Sequence, residues 1–365
     1  MTETDGTGRP AVLLAKGDTV AVTGAAGFIG SAIVRALLPL GVSVVALVEP
    51  GGSEANLAGL DVEVRTVDIR ERSDVRAAVE GARAVFHTAA LFAFWAKNPD
   101  VFYDVNVGGT RNVIAGALAA GCERIVYTST VATIGLHGGS GPSDENVPAR
   151  IDHLFGYYKQ SKYVAEHEAL RAAAEGAPLA LVHPTFPLGP RDIRPTPTGK
   201  VLLDYLNGRM PGYVDTAMNV AHVDDLAQGH LLVLERGHQG RSYIIGGENL
   251  SMRSLLETAA ACTGLAPPTR RWPLALGLGV GYVSDAIEGR LLGREPHVPL
   301  EAARMSREHM IFDDSRARDE LGYSSRPAED AITDSARWFV DNGYVRPERV
   351  GQITWPSRPG TGERS

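Results

Sequence analysis

Tyr158 and Lys162 stand four positions apart in the run YYKQSK at 157–162, the spacing that puts two side chains on one face of a helix. A phenol ordinarily holds its proton to about pH 10, so Tyr158 can act as an acid/base near neutrality only where a cation favours the phenolate. An ammonium one helical turn away supplies that cation. Thr130, in Thr128-Ser129-Thr130, adds a hydroxyl able to hold a substrate oxygen. Together the three residues suit proton transfer at a secondary alcohol or ketone. A Tyr-x-x-x-Lys pair by itself usually marks a solvated helix face; the residues upstream give this one its meaning.

Those residues are TGAAGFIG at 23–30, with Gly24, Ala26, Gly27, Phe28, Ile29 and Gly30 as candidate cofactor contacts. The glycines permit a tight turn and close approach of backbone to a pyrophosphate, which then rests on the N-terminus of the helix that follows. A strand before and a helix after are the context that the motif requires. Glu49 ends the second strand-like run, where a carboxylate reads ribose hydroxyls and repels a 2′-phosphate; no Arg or Lys follows in Pro50-Gly51-Gly52-Ser53. The expected cofactor is therefore NAD rather than NADP. Asp68 and Ile69 lie where an adenine edge can meet them, or serve as structural capping.

The elements that position these groups alternate. Apolar, β-branched runs at 19–23, 42–48, 62–67, 84–87, 125–128 and 179–183 are separated by helical patterns such as Ile29, Ile33, Val34, Leu37 and Leu38 before Gly41. Continuous apolar character in the strands fits a parallel sheet buried on both faces. The expected fold is α/β, a Rossmann-type doubly wound parallel sheet with a smaller, mainly C-terminal α/β substrate domain. Residues 1–18 are expected to be a flexible segment, 19–183 the NAD-binding domain with 220–247 returning to it, and 184–219 and 248–345 the substrate region. Residues 346–365, rich in Pro, Gly and Arg, are expected to be disordered. The stretch 189–199 reads as a loop or lid, Ser251 as a helix start, and 274–283 as a buried helix, about half the length of a membrane span.

Composition excludes several classes. With 36 Lys+Arg against 43 Asp+Glu, the 365-residue chain carries a net charge of −7 and no basic field for nucleic acid. Two cysteines, Cys122 and Cys262, cannot make a disulfide scaffold or a four-thiolate zinc site, and no His or Cys/His spacing suits a metal. The first ten residues are polar and acidic, which leads to the expectation of a cytoplasmic protein with no transmembrane segment.

The chain resembles the extended short-chain dehydrogenases/reductases of the NAD-dependent epimerase/dehydratase superfamily from about residue 19 to 344. The matching segments are TGAAGFIG at 23–30, HTAA at 87–90, NVGGTRNV at 106–113, YTST at 127–130 and YYKQSK at 157–162. The resemblance implies that Thr130, Tyr158 and Lys162 form the catalytic triad, Thr standing where many relatives have Ser. Lys162 would also bind the nicotinamide ribose, Ala89, Ala90, Asn106 and Thr128 would face the cofactor, and Pro184 would pack beside the nicotinamide. HPTFPLGPRDIRPTPTGK at 183–200, YVDTAMNVAHVDDLAQGH at 213–230 and GGENLS at 246–251 are similar to the hopanoid-associated sugar epimerase branch, a neighbour of the dihydroflavonol-reductase-like enzymes.

Nucleotide-sugar epimerases of the superfamily usually place an Asn and an Arg for the sugar diphosphate where this chain has approximately Phe186 and Met218. Arg191, Arg194 and Lys200 could replace them. Phe92, Phe94, Trp95, Tyr103 and Phe186 are candidate walls for a ring-shaped or apolar substrate, with Arg191 a further substrate contact; packing between domains is the alternative for about half. His222, Asp224 and Asp225 are expected to be structural. Three functions follow: an NAD-dependent alcohol dehydrogenase or ketone reductase, an epimerase that retains NAD through a keto intermediate, or a non-catalytic NAD-binding regulator. The partner is a small alcohol, ketone or sugar-like molecule, with a homodimer possible.

Overall fold

The alternating runs become strands and helices in chain order. A computed structural model describes residues 12–138, 141–297 and 300–355. Its first half comprises β1 (Thr19–Thr23), α1 (Phe28–Leu37), β2 (Ser43–Val48), β3 (Glu63–Thr66), α2 (Arg72–Ala78), β4 (Ala84–His87), α3 (Asp100–Tyr103), α4 (Thr110–Ala119), β5 (Arg124–Thr128), α5 (Tyr157–Ala174) and β6 (Leu179–Pro184). Then follow β7 (Phe186–Leu188), α6 (Pro197–Leu206), β8 (Tyr213–Val214), β9 (Ala217–His222), α7 (Val223–Arg236), β10 (Ser242–Ile245), β11 (Glu248–Ser251) and α8 (Met252–Thr263). The last elements are β12 (Arg271–Trp272), α9 (Leu274–Ser284), α10 (Leu300–Met305), β13 (His309–Met310), α11 (Ser315–Leu321), α12 (Ala328–Asp341) and α13 (Pro347–Val350).

Seven strands form one parallel sheet in the order β10-β6-β5-β4-β1-β2-β3. Because side chains alternate along a strand, Val20 and Val22 enter one core with Ile33, Val34 and Leu226, while Ala21 enters the other with Val75, Val113 and Ala165. Two helical layers therefore need apolar residues at every strand position, which is why the strands read as unbroken hydrophobic runs. The order reverses at β1/β4, and the C-terminal ends of these strands open the crevice in which such sheets bind ligands.

A second, four-stranded sheet pairs β9 with β7, β11 and β13, and its core holds Leu188, Met218, Leu255, Ile332 and Phe339. This is the smaller C-terminal region, while α7 and β10 return to the large sheet.

Four local expectations need correction. Residues 12–18 are tied down: Val12 is buried, Gly17 N–H donates to Gly41 O at 2.9 Å, and Arg83 reaches Leu13 O and Asp18. Residues 1–11 lie outside the described residues. At the other end, residues 346–355 are ordered by long-range bonds, Arg346 N–H to Asn207 Oδ1 at 3.0 Å and Arg349 Nε–H to Leu206 O at 2.9 Å; residues 356–365 lie outside the described part. The loop at 189–199 closes sooner than expected, since Thr196 caps α6 by accepting from Gly199 N–H and is itself held by Asp192. Finally, α9 is a helix but not a buried one: Leu276, Val280, Tyr282 and Val283 are exposed, and Gly281 alone is buried, where it meets Ala303 of α10. Its apolar residues lie all round the helix, and only one face has a packing partner.

Candidate active site

The glycine loop is built by close approach. Gly24 has φ +65°, and a Cβ there would fall 2.9 Å from Ala89 Cα and N. A Cβ on Gly30 would lie 2.2 Å from Gly24 O. Ala89 N–H donates to Thr23 Oγ1 at 3.1 Å and Thr88 Oγ1 to Thr23 O at 2.6 Å, so Ala89 and Ala90 are pinned beside the loop. Helix α1 opens after Gly27 with no side-chain cap and no acidic residue in its first turn, leaving amides and the positive dipole end for an anion. Ala26, Phe28 and Ile29 pack partly into the core beneath it.

Glu49 ends β2 with its carboxylate exposed, as a ribose-reading group must be. The fold adds what the local sequence lacks: Arg194 Nη1 comes within 3.5 Å of Glu49 Oε1. The expectation of no nearby cation is thus corrected, because a residue 145 positions away folds back onto the strand end. Asp68 accepts from Arg70 N–H and pairs with its guanidinium, and Ile69 is buried against Gly109, so both are held by architectural contacts. These features fit NAD, since the loop leaves no room for side chains where a pyrophosphate must approach backbone.

Tyr158 is the second residue of α5 and is 7% exposed. The Thr130 hydroxyl stands close enough to the phenol to favour its ionised form, which brings the two expected catalytic groups together. Burial pushes the phenol well above its usual pKa, Thr130 opposes this, and the charge of Glu301 adds to it. Lys162 Nζ donates to Thr128 O at 2.8 Å and Tyr127 Oη at 3.0 Å and lies 4.6 Å from the Tyr127 ring centroid. Burial brings its pKa down to about 7 against the pull of Glu166. The i/i+4 spacing led to the expectation of a phenol–ammonium pair; the buried ammonium instead satisfies itself on oxygens of the β5 end.

Sequence reasoning missed the groups that hold this constellation. Glu166, two turns from Tyr158, is buried and accepts from Ser129 Oγ at 2.5 Å and Thr133 Oγ1 at 2.6 Å. His183 Nδ1–H donates to Thr130 O at 3.1 Å. A second network starts at Thr23, whose hydroxyl donates to His87 Nδ1 at 2.8 Å; His87 Nε2–H donates to Thr110 Oγ1 at 3.0 Å, and Thr110 to Asn106 O at 2.6 Å. Asn106 then accepts from Leu91 N–H and donates to Ser161 Oγ at 2.9 Å. Asn106 is 1% exposed, so it braces the 87–91 segment against α5 rather than facing the cofactor cleft. Thr128 likewise donates to His230 Nε2, whose Nδ1–H is fixed on Leu226 O at 2.7 Å. Pro184 is buried at the end of β6. The motif residues at 87–90 and 106–113 were the available signal, but their partners were not legible.

On the substrate side, the Phe92 ring lies 4.8 Å from that of Tyr158, and Phe94 meets Phe92 edge-on at 6.0 Å. A Cβ on Gly289 would fall 3.2 Å from Trp95 Nε1, which places Trp95 against the segment after α9. Tyr103 donates to Gln160. Met218 is buried in the C-terminal core, and Phe186, partly buried, packs against it. Arg191, in a left-handed conformation at φ +76°, pairs with Asp224 of α7 and faces Arg35, not the Tyr158 end of the cleft. Lys200 stands 3.9 Å from Glu295. His222 caps α7 by accepting from Asp224 N–H, and Asp225 holds Arg326, both structural as expected. Cys122 and Cys262 are free and buried.

Residues 20–246 match the NAD dependent epimerase/dehydratase family. A Synechocystis protein named as a dihydroflavonol 4-reductase is 41% identical over 337 residues, covering 91% of this chain and 98% of its own. The 2-alkyl-3-oxoalkanoate reductase of Shewanella oneidensis is 31% identical over 331 residues, 86% of this chain and 84% of its own. Among solved structures, a nucleoside-diphosphate-sugar epimerase from Pseudomonas aeruginosa is 27% identical with a TM-score of 0.74, covering 90% of this chain and 99% of its own. With a matched segment spanning the glycine loop, residues Thr130, Tyr158 and Lys162 and the returning strand β10, the chain belongs to the NAD dependent epimerase/dehydratase family and is an NAD-dependent enzyme of the extended short-chain dehydrogenase/reductase type.

Proposed function

We propose that the protein interconverts a secondary alcohol and a ketone on a small, largely uncharged substrate, with Tyr158 as the acid/base. The observation that carries this is the approach of the Thr130 side chain to the buried Tyr158 phenol, beside the Phe92 ring. NAD, when bound, supplies the hydride acceptor for the alcohol or, reduced, the donor for the ketone. Thr130 holds the substrate oxygen, and Tyr158 takes its proton during oxidation or gives one during reduction. Lys162, with Thr128 and Tyr127 oxygens around it, would bind ribose hydroxyls and favour the phenolate once it turns from those partners. Gly24, Ala26, Gly27, Phe28, Ile29, Gly30, Glu49, Ala89, Ala90 and Pro184 would hold the cofactor; Phe92, Phe94 and Trp95 would hold the substrate.

Exchange of the cofactor at each turnover, rather than its retention for epimerisation, is supported by the named relatives, two of which carry reductase names. It is supported also by Arg191, which is paired with Asp224; Arg194 and Lys200 approach Glu49 and Glu295 as exposed, weak pairs. Tyr158→Phe should leave NAD affinity near wild type and lower turnover about a hundredfold or more. Near-wild-type turnover in that variant would remove Tyr158 from the chemistry and leave Tyr157 as the remaining phenol. Calorimetry of the NAD-loaded protein with UDP tests the substrate class. Micromolar binding, abolished by Arg191→Ala or Arg194→Ala, would restore the nucleotide-sugar epimerase.

A further inference from the structure

Beyond the exposed helix α9 the chain turns back toward the catalytic helix. There α10 presents Glu301, which is 8% exposed. Its carboxyl sits over Gly156, the residue that caps α5 two positions before Tyr158. A Cβ on Gly156 would fall 1.9 Å from Glu301 Cδ and Oε2 and 2.4 Å from Oε1. Gly156 also holds φ +89°, so both backbone conformation and space reserve this position for glycine, and the reserved space is filled by the carboxyl.

Glu301 Oε1 is buried and has no hydrogen-bond partner. Native folds rarely leave a buried polar atom unmet, and a site that receives a ligand is one of the places where they do. The cation beside it, Lys159, is already engaged by Glu308 at 2.7 Å. The Lys159 backbone N–H also reaches the carboxyl, and Tyr158, two residues past Gly156, is near enough for the Glu301 charge to act on its phenol, with the Phe92 ring 4.8 Å from the Tyr158 ring.

We propose that Glu301 is a substrate-reading residue whose carboxyl forms a subsite for a hydroxyl, or another neutral hydrogen-bonding oxygen, carried by the substrate next to the carbon that reacts at Tyr158. Burial raises the Glu301 pKa to about 8, against the pull of Lys159, so at neutral pH it is a carboxylic acid that both donates and accepts. A phosphate or carboxylate on the substrate would have to compete with Glu308 for Lys159. A neutral oxygen finds a complete partner. The proposal rests on Tyr158 as the acid/base, and its test reads binding rather than turnover, so that failure of one does not mimic failure of the other.

The test is calorimetry on the NAD-loaded full chain with two probes, 2-hydroxycyclohexanone and cyclohexanone. Wild type should bind the hydroxylated ketone at least tenfold more tightly. Glu301→Leu should reduce that ratio to about one, Glu301→Gln should keep most of it, and Glu301→Asp, whose shorter side chain withdraws the carboxyl, should fall between. NAD affinity in each variant certifies the fold; where Glu301→Leu fails that check, the ratio in Glu301→Asp against Glu301→Gln decides. A wild-type ratio near one, including binding of neither probe, overturns the proposal, and so does a tenfold ratio that survives in Glu301→Leu or stays equal in the Asp and Gln variants.

Discussion

Glu49 shows how one residue's meaning changes with its neighbours. Alone at a strand end it selects NAD by accepting ribose hydroxyls and repelling a 2′-phosphate; with Arg194 3.5 Å away, the repulsion is partly neutralised. Both groups are exposed and the pair is weak. We therefore expect NAD to be favoured, by less than the roughly 1–3 kcal/mol that an unpaired carboxylate would provide. Arg194→Ala should widen the preference and Glu49→Arg should narrow or reverse it, read by titrating both cofactors. An unchanged ratio in Arg194→Ala would show that the arginine does not reach the ribose. Lys162→Met, by contrast, should weaken both NAD binding and turnover, because the same ammonium serves both.

Two elements carry separable expectations. The glycine loop works through close contact, so Gly30→Ala should push its methyl into Gly24 O, cost about 1–3 kcal/mol and weaken NAD binding together with stability, seen by urea unfolding and cofactor titration. Helix α9 behaves in the opposite way. Val283 and Leu276 are more than half exposed, so Val283→Ser and Leu276→Ser should change stability by no more than about 0.5 kcal/mol. A loss of about 2 kcal/mol in either would mean that the helix is packed as its sequence suggests. Among the described residues no helix is long and apolar enough to cross a membrane, α9 included.

Two of the molecule's buried histidines, His87 and His230, are held neutral far below the ordinary imidazole range. His87 is brought down to about 3 and His230 to about 4, chiefly by burial, with the Lys162 charge adding to the first. Between those values and the ordinary 6.5 the unfolded chain binds more protons than the folded one, so stability is lost as pH falls below about 6.5. Each can contribute on the order of a few kcal/mol. Glu301 and Asp192, raised to about 8 and about 6 by burial, act with the other sign: their folded forms hold protons that the unfolded chain has released, and stability falls as pH rises through those values. Because these opposing contributions are of similar size between pH 7 and 5, the readout is the difference between variants: the urea midpoint of His230→Gln should gain on that of wild type as pH falls over this range. Parallel curves would place the acid sensitivity elsewhere.

The sheet, its two helical layers and the glycine loop were legible in the sequence because each depends on local pattern. Strand periodicity, a turn that excludes side chains and one helical turn of spacing are short-range facts. What needed the tertiary structure were contacts between residues distant in the chain: Arg194 on Glu49, Asp224 on Arg191, Asn106 on Ser161 and Glu301 over Gly156. Charge and burial decide those roles, and neither is a property of a residue's neighbours in sequence. The same reason accounts for α9 and the chain ends. An apolar helix is buried only if another element arrives to cover it, and a polar tail is ordered only if distant oxygens, such as those of Leu206 and Asn207, are there to receive its arginines.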